Sequence, residues 1–244
     1  MKLLINLVLN EYDKSELAKV PLNTINSQKG QRNIALINLL KSGKNTINSS
    51  EILELAAPED SYDFFISHSH KDIDSVLSLA SFLRNKGFKV FVDSEYWLYF
   101  DDIAKELNKN HLHGGESGTD YYDHDKTIDV QKHCDVMLSA SLLQIMTKSK
   151  VLVFVNTPSS IVNMEELSQY DAKRSTYSPW IYYEILVANA LFEPISYSNL
   201  LEHYTRDSVP QIMYDNVDLN NMINKTWEDF KTISWKRVIE TIGD

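Results

Sequence analysis

Runs of apolar residues at two different spacings predict alternating strands and helices along the chain. Residues 63–67 (DFFIS), 88–93 (FKVFVD) and 150–156 (KVLVFVN) have the length and composition of strands buried in a parallel sheet. Residues 72–86 carry apolar side chains at helical spacing, and Gly87 follows as a helix terminator. A strand, a helix and a strand within about 30 residues form a βαβ unit with a right-handed crossover.

The second half of the chain is predicted to hold helices and one more strand. A long amphipathic helix is predicted at 127–148, and a second helix over 177–192 has Ser178 as its N-cap and Pro179 at its first position. A last strand at 210–215 and closing helices at 226–243 complete the order. These elements predict an α/β fold with a parallel sheet of about five strands flanked by helices.

The first 58 residues are predicted to form a separate helical extension. The α/β domain then covers 59–244, with core motifs at 62–193 and a C-terminal strand and helices at 194–244. Near the start of the chain, Lys2 is followed by the largely apolar residues 3–9, as in an export signal. The apolar run is short and no small-residue cleavage site follows it, so we expect a cytoplasmic protein.

Charge and cysteine content exclude several kinds of partner and site. The chain has 34 acidic and 24 basic residues, a net charge of −10 and no basic run, so nucleic acid is not an expected partner. No stretch approaches the about 20 apolar residues of a membrane-spanning helix. The single cysteine, Cys134, cannot form an intrachain disulfide and falls within a helical pattern, which indicates a buried structural thiol.

Polar residues follow the first predicted strand in the segment YDFFISHSHKD, residues 62–72. Ser69 and Asp72 have the spacing of a helix-start cap, which explains them structurally. A helix N-terminus after a parallel strand is also a phosphate site, to which Lys71 would add a positive charge. Both interpretations are compatible with the sequence.

Two more segments carry candidate chemistry. In SPWIYYEI, Trp180 and Glu184 are four residues apart and share one helix face. The glutamate either faces water or lies in a cleft. Asp93 ends the second strand, and the aromatic residues after it, including Trp97, stack on a ligand ring, bind another subunit or pack beneath their own loop.

A polar loop at 111–126 contains histidines and aspartates, which are common metal ligands. Their spacing matches no zinc or calcium template. We therefore predict no metal site.

The segments YDFFISHSHKD, GFKVFVD and SPWIYYEI, in this order, resemble the three sequence boxes of the Toll/interleukin-1 receptor (TIR) domain family. The resemblance covers residues 60–193 and extends more loosely to the end of the chain. It implies a flavodoxin-like, three-layer α/β fold. The extension at 1–58 lies outside it, and the segment 101–135 is longer than the corresponding loop of the family.

The resemblance implies an enzyme that cleaves NAD, as many bacterial TIR domains do. Glu184 matches the catalytic glutamate of the family, and the residues at the first strand end match the nucleotide cleft. The implied substrate-binding residues are Phe65, Ser67, His68, Ser69, Lys71, Asp93, Trp97 and Trp180. NAD is the implied substrate, with no further cofactor.

In its length and in the SPWIYYEI segment, the chain most resembles the TIR component of Thoeris-type anti-phage systems. There, a diffusible nucleotide product, ADP-ribose or a cyclic isomer, activates a separate effector protein. Self-association through TIR–TIR contacts is also implied, with the loop from Ser94 onward packing against a neighbouring subunit.

Two other functions are compatible with the same fold. A non-catalytic TIR scaffold would self-associate, and a Glu184 that points into solvent would favour it. A nucleoside deoxyribosyltransferase-like enzyme would also use a glutamate at a glycosidic bond, but on a nucleoside without pyrophosphate.

Overall fold

The computed structural model describes residues 2–23, 38–39, 48, 50–51, 61–96, 124–163, 174–175, 179–192, 219 and 221–242. The chain divides into two compact units. The first unit contains Met1–Thr24, Ser61–Val92 and Met146–Asp244, and the second contains Ile25–Asp60 and Asp93–Ile145.

The first unit holds the sheet and most of the described helices. Its strands are β1 (Leu3–Val8), β2 (Tyr62–Ser67), β3 (Val90–Val92), β4 (Ser149–Asn156), β5 (Val162–Asn163), β6 (Arg174–Ser175) and β7 (Ile223–Thr226). Its helices are α1 (Glu11–Leu17), α2 (Ile73–Asn85), α5 (Pro179–Leu191), α6 (Trp227–Thr232) and α7 (Trp235–Thr241). A 3₁₀ turn, His70–Asp72, precedes α2. The second unit holds α3 (Asp93–Tyr96) and most of α4 (His124–Thr147).

Five strands form a parallel sheet in the order β3-β2-β4-β1-β7, which confirms the predicted α/β, flavodoxin-like architecture. β5 and β6 form a separate antiparallel pair. The chain passes from β2 to β3 on one side of β2 and returns to β4 on the other side. The carboxyl ends of β2 and β4 are therefore a topological switch point, where ligands bind in open α/β sheets.

Strand β1 corrects the prediction for the start of the chain. Residues 3–8 do not belong to a helical extension, because they form a strand between β4 and β7. Its residues 3–7 are all buried, and a strand covered on both faces has the continuous apolar sequence that resembled an export signal. Most of the remaining extension, up to the boundary predicted at residue 58, lies outside the described residues.

The ends of the chain's other elements agree with local sequence signals. α2 ends at Asn85, and Gly87, two residues later, has a φ of +91°, which suits a residue without a Cβ. α5 begins at Pro179, as predicted. The strand predicted at 210–215 lies outside the described residues, and β7 at Ile223–Thr226 was not predicted.

Among the described residues, no helix is both long and apolar enough to cross a membrane.

The two faces of the sheet have different contents. The first face packs on α2, α6 and α7 and is largely apolar, with Phe64 edge-on to Trp235 at 5.1 Å between ring centroids. The second face carries the alternate residues of each strand and mixes apolar with polar side chains. In one row across it, the register places Ser67, Phe154, Asn6 and Asn224 side by side. This polar row at the carboxyl side of the sheet locates the candidate site.

Candidate active site

Ser67 and Glu184 meet on the second face of the sheet, at the switch point. Ser67 is the last residue of β2, and its Oγ donates a hydrogen bond of 2.5 Å to Oε2 of Glu184 on α5. The two residues are 0% and 1% exposed. Because an isolated buried carboxylate is costly, this hydroxyl donor helps to hold the carboxylate in place.

Helix α5 positions Glu184 through its own amphipathic packing. Ile181, Ile185 and Ala188 are buried on the side that carries Glu184, whereas Tyr182 and Leu186 are 42% and 54% exposed on the other. The glutamate therefore lies in the protein interior and does not face solvent. Trp180, one turn earlier on the helix, is half-buried.

The segment after β2 contributes a mixture of buried and exposed groups. His68 is buried, and its ring is edge-on to that of His70 at 6.3 Å. Ser69 Oγ accepts a hydrogen bond of 3.4 Å from the backbone N–H of Lys71. His70 and Lys71 are exposed at the first turn of the following helical segment. This places the predicted Ser67, His68, Ser69 and Lys71 in sequence along one edge of the switch point.

Phe65 lies one row beneath Ser67 on the same face. It is fully buried and stacks on Phe91, with ring centroids 5.4 Å apart. The ring therefore packs in the interior beneath Ser67.

Asp72 has a different role from the predicted helix cap. Its backbone N–H donates to the carbonyl of Ser69 at 2.9 Å, but its carboxylate turns away. Oδ2 accepts 2.5 Å from Thr157 Oγ1, and Oδ1 lies 3.2 Å from Nζ of Lys14. Asp72 is 3% exposed, so this buried carboxylate joins the segments that follow β1, β2 and β4.

The ion pair also affects Lys14. Burial lowers the pKa of its ammonium, but hydrogen bonds and attraction from Asp72 and Glu11 outweigh that effect, and the pKa is raised. Neither Lys14 nor Thr157 was predicted from the sequence as part of the site. The only feature of the sequence that could have indicated these two residues is that each follows a strand, and the carboxyl ends of these strands lie at the same edge of the sheet.

The remaining predicted residues belong to the second unit or lie outside the described residues. Asp93 starts α3 in the second unit, where its Oδ1 accepts 2.6 Å from the N–H of Ser94. Trp97 lies outside the described residues, as does the loop at 111–123. Cys134 lies on α4, and its side chain is not among those described. Within the described part of the chain, no cluster of His, Cys, Asp and Glu has the makings of a metal site.

The arrangement suits chemistry on a group that becomes positively charged. A buried carboxylate attracts a developing cation more strongly than one in water, because the surrounding dielectric is low. Its oxygens also accept hydrogen bonds from hydroxyl groups, as the contact with Ser67 illustrates.

One characterised protein resembles part of this chain. The 2′ cyclic ADP-D-ribose synthase BtTIR of Bacteroides thetaiotaomicron is 38% identical over 56 residues. These residues are 22% of this chain and 20% of that protein, so the match spans about a fifth of each. It supports a relationship to TIR domains and, coarsely, to enzymes that convert NAD. No family model matches the chain, and neither does any solved structure.

Proposed function

We propose that this protein is a TIR-type enzyme that cleaves the bond between nicotinamide and ribose in NAD, with Glu184 as its catalytic residue. The observation that carries the proposal is the burial of Glu184 at the switch point, hydrogen-bonded to Ser67 at the end of β2. The partial likeness to a cyclic ADP-ribose synthase supports NAD as the substrate. No further cofactor is part of the proposal.

The reaction requires an ionised carboxylate and does not require a general acid. As the bond to nicotinamide breaks, positive charge develops on the anomeric carbon of the ribose, as in glycoside cleavage. The carboxylate of Glu184 stabilises this charge and holds ribose hydroxyls by charge-assisted hydrogen bonds. Nicotinamide leaves as a neutral molecule, with the bonding electron pair on its ring nitrogen, so its departure needs no proton.

The side chains near Glu184 would bind the rest of the substrate. Ser67 orients the carboxylate, and Trp180, one turn away on α5, forms a wall against the leaving ring. His68 and Ser69 line the cleft, and the exposed Lys71 attracts the pyrophosphate. Phe65 supports Ser67 from beneath. For Asp93 and Trp97, a role in binding rests on the TIR resemblance alone.

The second step determines the product. Attack of water on the anomeric carbon gives ADP-ribose, whereas attack by a group of the same molecule gives a cyclic isomer. Ring closure requires the substrate to be held folded. We propose that the product is a diffusible anti-phage signal that activates a separate effector, and that subunits assemble through TIR–TIR contacts.

The test is incubation of the purified protein with NAD beside the Glu184→Gln variant, with products separated by mass-resolved chromatography. Nicotinamide release by the wild type alone is the expected result. The mass of the second product separates hydrolysis from cyclisation. Equal release by both proteins would assign the chemistry elsewhere.

The same assay distinguishes the two other functions. Cleavage of deoxyribonucleosides but not NAD would identify a deoxyribosyltransferase-like enzyme. If neither substrate is cleaved, including after addition of extract from phage-infected cells, the protein is a scaffold. Activation of a purified candidate effector by the reaction products, but not by NAD, would test the signalling role.

A further inference from the structure

Asn6 is a buried amide near the candidate site that the proposed mechanism does not use. It lies on β1 and is 3% exposed. Its Nδ2 donates a hydrogen bond of 2.7 Å to Oδ1 of Asn224 on β7. Its own Oδ1 is buried and accepts no hydrogen bond in the described part of the structure. A buried acceptor left without a donor is destabilising and rare in native proteins, so it calls for a functional explanation.

The register of the sheet places Asn6 on the same face as Ser67. Ser67 is in register with Phe154 on β4, and Phe154 is in register with Asn6. Two strand spacings separate Ser67 from Asn6, which is about 10 Å. That distance is within the reach of one dinucleotide whose ribose is held at Glu184.

Neutral polar groups surround Asn6 toward the carboxyl ends of the strands. Asn156 on β4 is in register with Val8 on β1, and Val8 with Thr226 on β7. Val8 is 45% exposed, although it lies two residues beyond the buried Asn6 on the same face. The sheet therefore offers an accessible apolar position beside a set of amides.

This part of the face carries no cation among the described strand residues. Lys225 is in register with Leu7 and so belongs to the opposite face. Lys150 is on the same face but at the other end of β4, where it pairs with Asp63 at 3.5 Å. The chemistry therefore suits an uncharged ring with hydrogen-bonding groups and does not suit a phosphate.

We infer that Asn6, flanked by Val8, Asn156 and Asn224, is a subsite for the adenine of the substrate, whose exocyclic amino group donates to Oδ1 of Asn6. The inference rests on the proposed function, since NAD supplies the adenine. An amide oxygen pairs well with this amino group, and asparagine is a common partner of adenine for that reason. The subsite would hold the adenosine half while Glu184 holds the nicotinamide ribose.

The test measures equilibrium binding by calorimetry, with Glu184→Gln as the background so that no substrate is consumed. The ligands are NAD and nicotinamide hypoxanthine dinucleotide, in which a carbonyl replaces the adenine amino group. We expect NAD to bind at least about ten-fold more tightly, because the analogue sets an acceptor against Oδ1 of Asn6. Adding Asn6→Leu should reduce this ratio to about one.

Asn85→Leu is the matched control. Asn85 also belongs to an Asn–Asn pair, with Asn23 at 3.0 Å, but it is exposed at the end of α2. This variant should keep the preference for NAD. Asn6→Leu removes an unsatisfied buried acceptor but also the hydrogen bond to Asn224, so its melting temperature is measured beside that of its parent. If the leucine variant does not fold, Asn6→Ala replaces it in the same comparison.

The results separate this inference from the proposed function. Failure of NAD to bind, or a preference that survives the loss of Asn6, overturns the subsite even if the wild type cleaves NAD. A preference that depends on Asn6 supports the subsite even if the wild type cleaves nothing, and in that case the catalytic proposal fails.

Discussion

Nζ of Lys14 lies 3.2 Å from Oδ1 of Asp72, and this ion pair ties the helix after β1 to the turn after β2. Thr157, which follows β4, donates to the other carboxylate oxygen. Three segments at the carboxyl edge of the sheet are thus fixed around one buried carboxylate. Ser67 ends β2, and His68 lies in the short segment between β2 and Asp72, so these contacts of Asp72 help to fix the positions of both residues.

Removal of the Asp72 carboxylate should destabilise the protein strongly. Asp72→Ala leaves Lys14 and the hydroxyl of Thr157 without their buried acceptor, and we expect a loss of about 3 kcal/mol in the free energy of unfolding. Urea unfolding followed by circular dichroism measures it. Asp74→Ala, at an exposed position in the next turn, should cost less than about 1 kcal/mol. Equal losses in the two variants would argue against this role of the Asp72 carboxylate.

The same ion pair predicts a dependence of stability on alkaline pH. The folded-state pKa of Lys14 lies above its ordinary value of 10.5. The contribution of the Lys14 charge to the free energy of unfolding is therefore fully present below about pH 10.5 and is lost as the pH rises through the folded-state pKa. Lys14→Met should be less stable than wild type at neutral pH, and the difference should shrink in strongly alkaline solution.

Urea unfolding of both proteins at neutral and strongly alkaline pH checks this prediction. Lys19→Met is the control, because Lys19 pairs with Glu16 at the protein surface. Its effect on stability should be small at every pH. If the difference in the free energy of unfolding between wild type and Lys14→Met stays constant with pH, the charge of Lys14 does not contribute to stability.

Local signals were sufficient to predict much of the fold. β2, β3 and β4 are largely apolar runs, a glycine follows the end of α2, and α5 begins at a proline. Each of these signals lies within a few residues of the feature it predicts. Glu184 was conspicuous for the same reason, as a carboxylate in the second turn of a highly apolar helix.

Features that depend on distant partners could not be predicted. Residues 3–9 have an apolar pattern that suits several structures, and only pairing with β4, more than 140 residues away, identifies a central strand. Asp72 has the local spacing of a cap, but its carboxylate partners are Lys14 and Thr157. The orphan acceptor of Asn6 likewise exists only once β1 lies between β4 and β7.

The position of β1 predicts unequal effects for two adjacent residues. Leu7 is fully buried on the first face of the sheet, whereas Val8 is 45% exposed on the second. Leu7→Ala should lower the free energy of unfolding by about 3 kcal/mol through lost burial and a cavity. Val8→Ala should cost less than about 1 kcal/mol. Thermal and urea unfolding measure both, and similar costs would contradict a central strand at 3–8.

The hydrogen bond between Ser67 and Glu184 predicts a selective loss of activity. Ser67→Ala removes the donor that orients the carboxylate, so kcat for NAD cleavage should fall about ten-fold or more, with a smaller change in KM. Ser78→Ala removes a buried hydroxyl from α2, which packs on the opposite face, and should leave kcat unchanged. Steady-state nicotinamide release measures both constants. An unchanged kcat in Ser67→Ala would show that the carboxylate is oriented by other groups.

The two sides of α5 should differ in their effect on the reaction. Trp180 lies one turn before Glu184 and is half-buried, whereas Tyr182 is 42% exposed on the opposite side of the helix. If Trp180 forms a wall of the nicotinamide site, Trp180→Ala should lower kcat/KM about ten-fold or more, since an aromatic contact in a binding pocket is lost. Tyr182→Ala should stay within about two-fold of the wild type. Kinetics of nicotinamide release compare the variants after circular dichroism has verified that both fold, and equal losses would place the substrate away from the Trp180 side of the helix.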